Sequence, residues 1–424
     1  EDVDGEDENG QEGDDEEGAY PRCDFKTIET VSDEKLRELV SLHCVLDGDA
    51  CHVQVERRGK GTYNFAAILS SSYKNVRKGF VVRIPGHATR AHWNEDDEHA
   101  MEREVQLVEH IRKNTTAPVP GILHYSTKHD NLIGFPYILM TQLPGKDAFS
   151  IWFDGDDYYN DDVELMFQHA DNPSTATEAK RITFLRSLAR YMTEIQTLSF
   201  EKIGMPLFTD DDEAPAATGP ETFTVYHRDL DFQNILVDED GNITGIIDWD
   251  KAFVAPRCIG AAAAPLFLQK DWLPDYLNNL DCAPHMGWKT HYYREIYAAA
   301  LVEAGNPDAI FATKSAIYRS AFTAFCDIDG YGKLELMDKL LREIPHCRLK
   351  SPEFARGLGL GWKDAEAMLK VELAKVLKPE LPPHNLLADL DAEMTLKKWY
   401  LDFNVEDEDE DEGEDDEDEE SEDS

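Results

Sequence analysis

Basic residues are scarce in this sequence. The chain has 424 residues, with 42 Lys and Arg against 86 Asp and Glu, a formal net charge of −44. No block of clustered Lys and Arg occurs, so the counter-charge that a nucleic-acid backbone demands is missing. The same shortage argues against attraction to an anionic membrane surface. Long apolar runs are missing too: none approaches the roughly 20 residues that a membrane-spanning helix needs. There is no internal repeat. Cysteine is sparse and odd in number, with Cys23, Cys44, Cys51, Cys258, Cys282, Cys326 and Cys347 scattered along the chain. A chain this long can bury its own core, so these read as free thiols in a reducing compartment and not as a disulfide framework. No signal-peptide pattern is seen among the residues, and a cytoplasmic location is the expectation.

The acidic charge is concentrated at the ends. Residues 1–18 hold 11 acids and residues 406–424 hold 16, with no base in either stretch. Such blocks repel themselves and carry too little apolar area to offset ordering entropy, so both are expected to be disordered tails. They would aid solubility, or serve as an arm for a basic protein partner. His43-Cys44 and Cys51-His52 flank an Asp47-Gly48-Asp49 turn. Their spacing is unusual for zinc, and neighbouring side chains on a strand point apart, so ordinary packing is expected there.

Between the tails the pattern changes once. Residues 31–46 read as a short helix capped by Ser32, with Leu36, Leu39 and Val40 on one face. Strand-like stretches follow at 51–57, 63–70 and 79–84. A helix is expected at about 100–113, then strands at 121–126 and 134–141. From about 180 the spacing turns helical, beginning with a helix over 180–198. Residues 209–220 are a loop by composition, and two short strands are expected at 234–238 and 243–247. The expected fold class is therefore α+β, with an antiparallel sheet plus one long helix first and a mainly helical part second.

The strongest chemical signal lies in residues 225–250. It contains His227-Arg228-Asp229, then Asn234 five residues on, a strand, the Asp240-Gly241 turn, a second strand, and Asp248 in Ile-Ile-Asp-Trp-Asp. Phosphoryl transfer from ATP needs such parts. A carboxylate must hold the acceptor hydroxyl and take its proton, and Asn and Asp oxygens must hold Mg²⁺ against the phosphates. A hairpin brings Asn234, just before one strand, and Asp248, at the end of the next, towards one spot.

These residues resemble the aminoglycoside phosphotransferase and choline-kinase-like branch of the bilobal protein-kinase-like fold, and are most similar to its fungal members. Ile246-Ile247-Asp248-Trp249-Asp250 stands where a protein kinase has Asp-Phe-Gly, and no Ala-Pro-Glu segment follows. The resemblance covers roughly residues 55–345. Between the two acidic tails, 1–18 and 406–424, it implies a nucleotide-binding lobe over 19–145 and a helical lobe with the catalytic loop and acceptor site over 146–405. It implies Asp229 as catalytic base and Asn234 and Asp248 as Mg²⁺ ligands. His227 and Arg228 would brace the loop, and Asp231 could touch the acceptor.

The resemblance also implies a nucleotide-phosphate loop over Gly59–Asn64, with Gly61 and Asn64 as contacts. Thr141 to Leu143 would form the hinge that meets adenine. One departure stands out. Arg83 occupies the strand position where the family offers Lys to the phosphates, with Glu104 as its expected helix partner and Glu102 as the other choice. The implied activity moves the γ-phosphoryl of ATP to a hydroxyl of a small molecule. Known acceptors of this branch include cations, so an acidic and aromatic wall is expected from Asp271, Asp275, Asp327, Asp329, Trp272, Tyr276, Trp288, Tyr292 and Tyr293. Two other readings stay open: a nucleotide-binding scaffold without turnover, and, less favoured, a protein kinase.

Overall fold

The computed structural model describes residues 22–43, 52–73, 76–153, 170–206, 208, 221–273, 276, 284–326 and 331–408. Contacts divide the chain into two units. One comprises residues 1–102 and 121–142, the other residues 103–120 and 143–424. The expected α+β composition holds, with an antiparallel sheet in the first unit and helices dominating the second. Among the described residues no helix is long and apolar enough to cross a membrane.

The first unit is built on five antiparallel strands: β1 (His52–Lys60), β2 (Asn64–Tyr73), β3 (Val76–Pro85), β4 (Ile122–Ser126) and β5 (Tyr137–Thr141), in the order β1-β2-β3-β5-β4. Alternation decides which face is covered. Phe65, Ala67 and Leu69 of β2 and Phe80, Val82 and Ile84 of β3 are buried together with Leu36, Leu39 and Val40 of the helix Asp33–His43. Ser32 caps that helix as expected, its Oγ accepting the Lys35 N–H at 3.3 Å. Each such side chain contributes roughly 1.5–3 kcal/mol of burial. Arg83 pairs with Ala66 on one side and Ile138 on the other, so it lies on the opposite face from this core.

Several boundaries differ from expectation, and two of them have a clear local reason. The helix expected from about residue 100 begins earlier and spans Glu95–Asn114. Asn94 caps it by accepting the Asp96 and Asp97 N–H groups, and Asp97 returns a bond to the Asn94 N–H at 3.0 Å. Its acidic first turn suits the positive end of the helix dipole. The strand expected from 134 begins at Tyr137. Asn131 captures the Ile133 and Gly134 N–H groups in a turn, with Gly134 at φ +83°.

The second unit holds two three-stranded sheets. In one, β6 (Lys146–Asp147) and β10 (Ile243–Ile246) flank β9 (Ile235–Val237). In the other, β7 (Ser199–Phe200) and β11 (Phe253–Pro256) flank β8 (Phe223–Tyr226). Sequence reading missed β6, β7, β8 and β11, because two to four residues carry no readable period. The helix Thr175–Gln196 starts five residues before the expected 180, where Ser174 accepts the Thr177 N–H. Gly145 is required by the fold: its φ is +105°, and an added Cβ would lie 2.3 Å from Thr244 Oγ1 and 2.6 Å from the Val237 carbonyl oxygen. The loop expected at 209–220 and both Cys44 and Cys51 lie outside the described residues. Of the cysteines, Cys23, Cys258, Cys326 and Cys347 are described, and Cys258, Cys326 and Cys347 are free thiols.

Candidate active site

β8 delivers the chain into residues 227–234, and every carbonyl from 228 to 232 in that loop is held. Arg319 donates to the Arg228 carbonyl at 3.1 Å. Asn234 Nδ2 donates to the Asp229 carbonyl at 2.8 Å, and the Leu266 N–H to the Leu230 carbonyl at 2.8 Å. The Asp231 and Phe232 carbonyls accept from Asn234 N–H at 3.0 Å and Ala148 N–H at 3.1 Å. A loop whose carbonyls are held in this way has little freedom to move, so the side chains it carries are pre-positioned.

Asp229 is half-buried, and its Oδ2 accepts from Asn234 Nδ2 at 2.9 Å and from Gln233 Nε2 at 3.5 Å. Asn234 is buried, and its amide nitrogen is committed to Asp229. The amide oxygen is therefore the end that can meet a cation.

The hairpin β9–β10 brings the chain back to Asp248, and Ile247 fastens the return at both ends. Its N–H donates to the Asn234 carbonyl at 2.9 Å. Its carbonyl accepts from His227 Nε2 at 2.9 Å. His227 is fully buried, edge-on to Trp249 with ring centroids 4.6 Å apart. Burial pushes its pKa down, which keeps it neutral and a donor through Nε2. This is the bracing role expected of it. Asp248 itself has φ +60°, the left-handed region that an ordinary residue enters at a cost. Buried Trp249 fixes the far side, its indole N–H bonded to the Ile246 carbonyl at 3.1 Å. Asp229, Asn234 and the residue before Asp248 are thus one hydrogen-bonded assembly.

Residues 71–280 match the family model described as APH, phosphotransferase enzyme family. Over this stretch the chain is similar to that phosphotransferase family. Asp229, Asn234 and Asp248 fall inside it, as do Arg83, Glu104, Thr141 and Leu143, while Gly61 and Asn64 lie just before it. No curated protein matches. Among solved structures, a macrolide 2'-phosphotransferase type I is 14% identical, with 71% of this chain and 93% of that one covered and a TM-score of 0.38. The aminoglycoside phosphotransferase APH(4)-Ia is 15% identical, with 72% and 96% covered and a TM-score of 0.35.

The other expected site residues divide between the units. In the first, Gly61 lies in the short link between β1 and β2, its N–H bonded to the Asn64 carbonyl at 2.9 Å. Arg83 is buried on β3. Thr141 ends β5, its N–H donating to the Gly121 carbonyl and its Oγ1 accepting the Gly121 N–H. In the second, Glu104 is half-buried on the helix Glu95–Asn114, and Leu143 packs against Gly245.

The expected acidic and aromatic wall is mostly scaffold. Asp271 is held in a two-pronged ion pair by Arg294, at 2.6 and 2.8 Å. Trp272 and Tyr293 are buried, and the Tyr292 and Tyr293 hydroxyls donate to Glu178. Tyr276 donates to the His285 carbonyl. Trp288 is exposed. Asp275, Asp327 and Asp329 lie outside the described residues. Asp231, expected as an acceptor contact, is a loop anchor instead: one oxygen accepts the Phe232 N–H and the other binds Lys270 at 2.8 Å. Sequence reading missed Lys270 and Arg319 altogether. They sit 39 and 91 residues from their loop partners, and nothing local marks them.

Proposed function

We propose that this chain is a small-molecule kinase that transfers the γ-phosphoryl group of ATP to an alcohol hydroxyl. The observation that carries the reading is the assembly of Asp229, Asn234 and Ile247-Asp248 within the stretch similar to the APH family. The donors suit Mg²⁺: both are hard oxygens, and this ion commonly takes one or two protein ligands with phosphate and water completing its shell. Asn234 through its amide oxygen and Asp248 through its carboxylate would hold it. When bound, Mg·ATP supplies the transferable group and the charge that balances it. Asp229 would orient the acceptor hydroxyl and take its proton. Asn234, donating to Oδ2, fixes that carboxylate's rotamer.

For the nucleotide we assign contacts to Gly61, Asn64, Arg83, Glu104, Thr141 and Leu143. Gly59 has nothing within 4 Å of an added Cβ, Gly61 only the Asn64 carbonyl at 3.8 Å, and neither has a positive φ. The fold does not need glycine there, whereas close approach of a phosphate to the backbone does. The side chain and N–H of Thr141 are already engaged, so an adenine edge would be met by other backbone groups of Thr141–Leu143.

The test is the thermal midpoint with and without ATP, in Mg²⁺ and in EDTA, followed by turnover of the Asp229→Asn variant. A ligand at about 100 times its Kd adds about 2.7 kcal/mol to stability. We expect a Mg²⁺-dependent shift in both proteins and a loss of turnover of roughly 10²- to 10⁴-fold in the variant. Undiminished turnover would remove Asp229 from the mechanism. A shift without turnover in the unaltered chain would favour a nucleotide-binding scaffold, the reading to which Arg83 in place of lysine lends weight.

A further inference from the structure

We propose that the acceptor is a small anionic hydroxyl compound whose carboxylate or phosphate is held by Arg319 and Arg228 beside Asp229. This rests on the phosphotransferase reading and names its substrate class.

The charges bordering the catalytic loop carry the inference. Lys270 is consumed by Asp231. Arg319 is different: its described contacts are the Arg228 carbonyl at 3.1 Å, the Gln269 side-chain oxygen at 3.5 Å and the face of Tyr226 at 5.3 Å. All three are uncharged, so its positive charge is not balanced by them. Arg228, the neighbour of Asp229, is exposed. Burial raises the pKa of the Tyr226 phenol, with smaller influences from Arg319, Arg228 and Asp229. Arg319 thus reaches the backbone of the residue next to Asp229 with no acid among these partners.

The acids that would reverse this balance are committed among the described residues. Asp271 belongs to Arg294 and Glu335 pairs with Lys339 at 3.0 Å. A cavity of about 110 Å³ is lined by Trp272, Ser320, Thr323, Leu336 and the paired Glu335 and Lys339. A smaller one shares Trp272, Ser320 and Thr323 and adds Gln269 and Arg319 to its walls. A compact body against Trp272 would leave its anionic end at Arg319. Guanidinium binds carboxylate and phosphate through paired N–H groups. A polyamine-like acceptor would meet repulsion at the same place.

The test uses the full chain with Mg·ATP and matched hydroxyl compounds. D-glycerate and D-gluconate are the anions, ethanolamine, choline and kanamycin the cations, and glycerol the neutral control. ADP release gives kcat/KM for each, and the thermal midpoint with and without Mg·ATP is read on the same samples. We expect the anions to exceed the cations by about tenfold or more, the scale of a charge-assisted hydrogen bond. Arg319→Glu should reverse the order, and Arg319→Gln should flatten it. The series on the unaltered chain stands even if neither variant folds. No midpoint shift with Mg·ATP overturns the phosphotransferase reading and this inference with it. A nucleotide shift with preferred turnover of the cations, or with no turnover of either anion, overturns this inference alone.

Discussion

Asp248 combines two properties that seldom coincide by accident. It is a candidate metal ligand, and its backbone sits at φ +60°. Backbone strain of this kind costs about 1–3 kcal/mol and persists only where the surroundings enforce it. Here Ile247 is bonded at both its N–H and its carbonyl, and Trp249 is buried, so the residue between them has no other course. Asn enters this region about as readily as Asp. Asp248→Asn should therefore leave unfolding free energy within about 0.5 kcal/mol of the unaltered chain. It should also abolish the Mg²⁺-dependent part of nucleotide binding, because the charge that holds the ion is gone. Calorimetric titration of ATP with and without Mg²⁺ would check it. An unchanged Mg²⁺ dependence would take Asp248 out of the metal site.

At the level of elements, two glycines in connecting turns should behave oppositely. Gly145→Ala forces a Cβ against Thr244 and the Val237 carbonyl at φ +105°, and should cost about 2–4 kcal/mol in denaturant unfolding. Gly61→Ala has room, so stability should hardly change while affinity for ATP falls. A loss of stability at Gly61, or an unchanged affinity, would count against a phosphate loop between β1 and β2. The same scale explains how much could be read in advance. Asp229, Asn234 and Asp248 lie within twenty residues of one another, joined by a hairpin whose turn and strands are local features. The sheet was legible as strand-like stretches at 63–70 and 79–84, and its cover as the Leu36, Leu39 and Val40 stripe. What escaped was long-range. Asp271 looks like a free acid until Arg294 is folded against it, and Arg319 is one cation among many until Arg228 arrives.

For the molecule as a whole, pH acts through buried histidines as well as through the −44 charge. Burial pushes His227 and His285 below the ordinary histidine range, and His124 likewise, more weakly buried. Asp171 pulls His285 the other way without overcoming burial. The unfolded chain therefore binds protons more readily than the folded one below the unfolded value of about 6.5. Stability should be full above that value and fall as the pH drops through it. Unfolding free energy at pH 7 should therefore exceed that at pH 5.5. Equal unfolding free energies at those two pH values would refute it. The carbonyls of residues 228–232 have one further consequence. The amide protons that Ala148, Asn234 and Leu266 donate to them should exchange with solvent far more slowly than those of an ordinary surface loop.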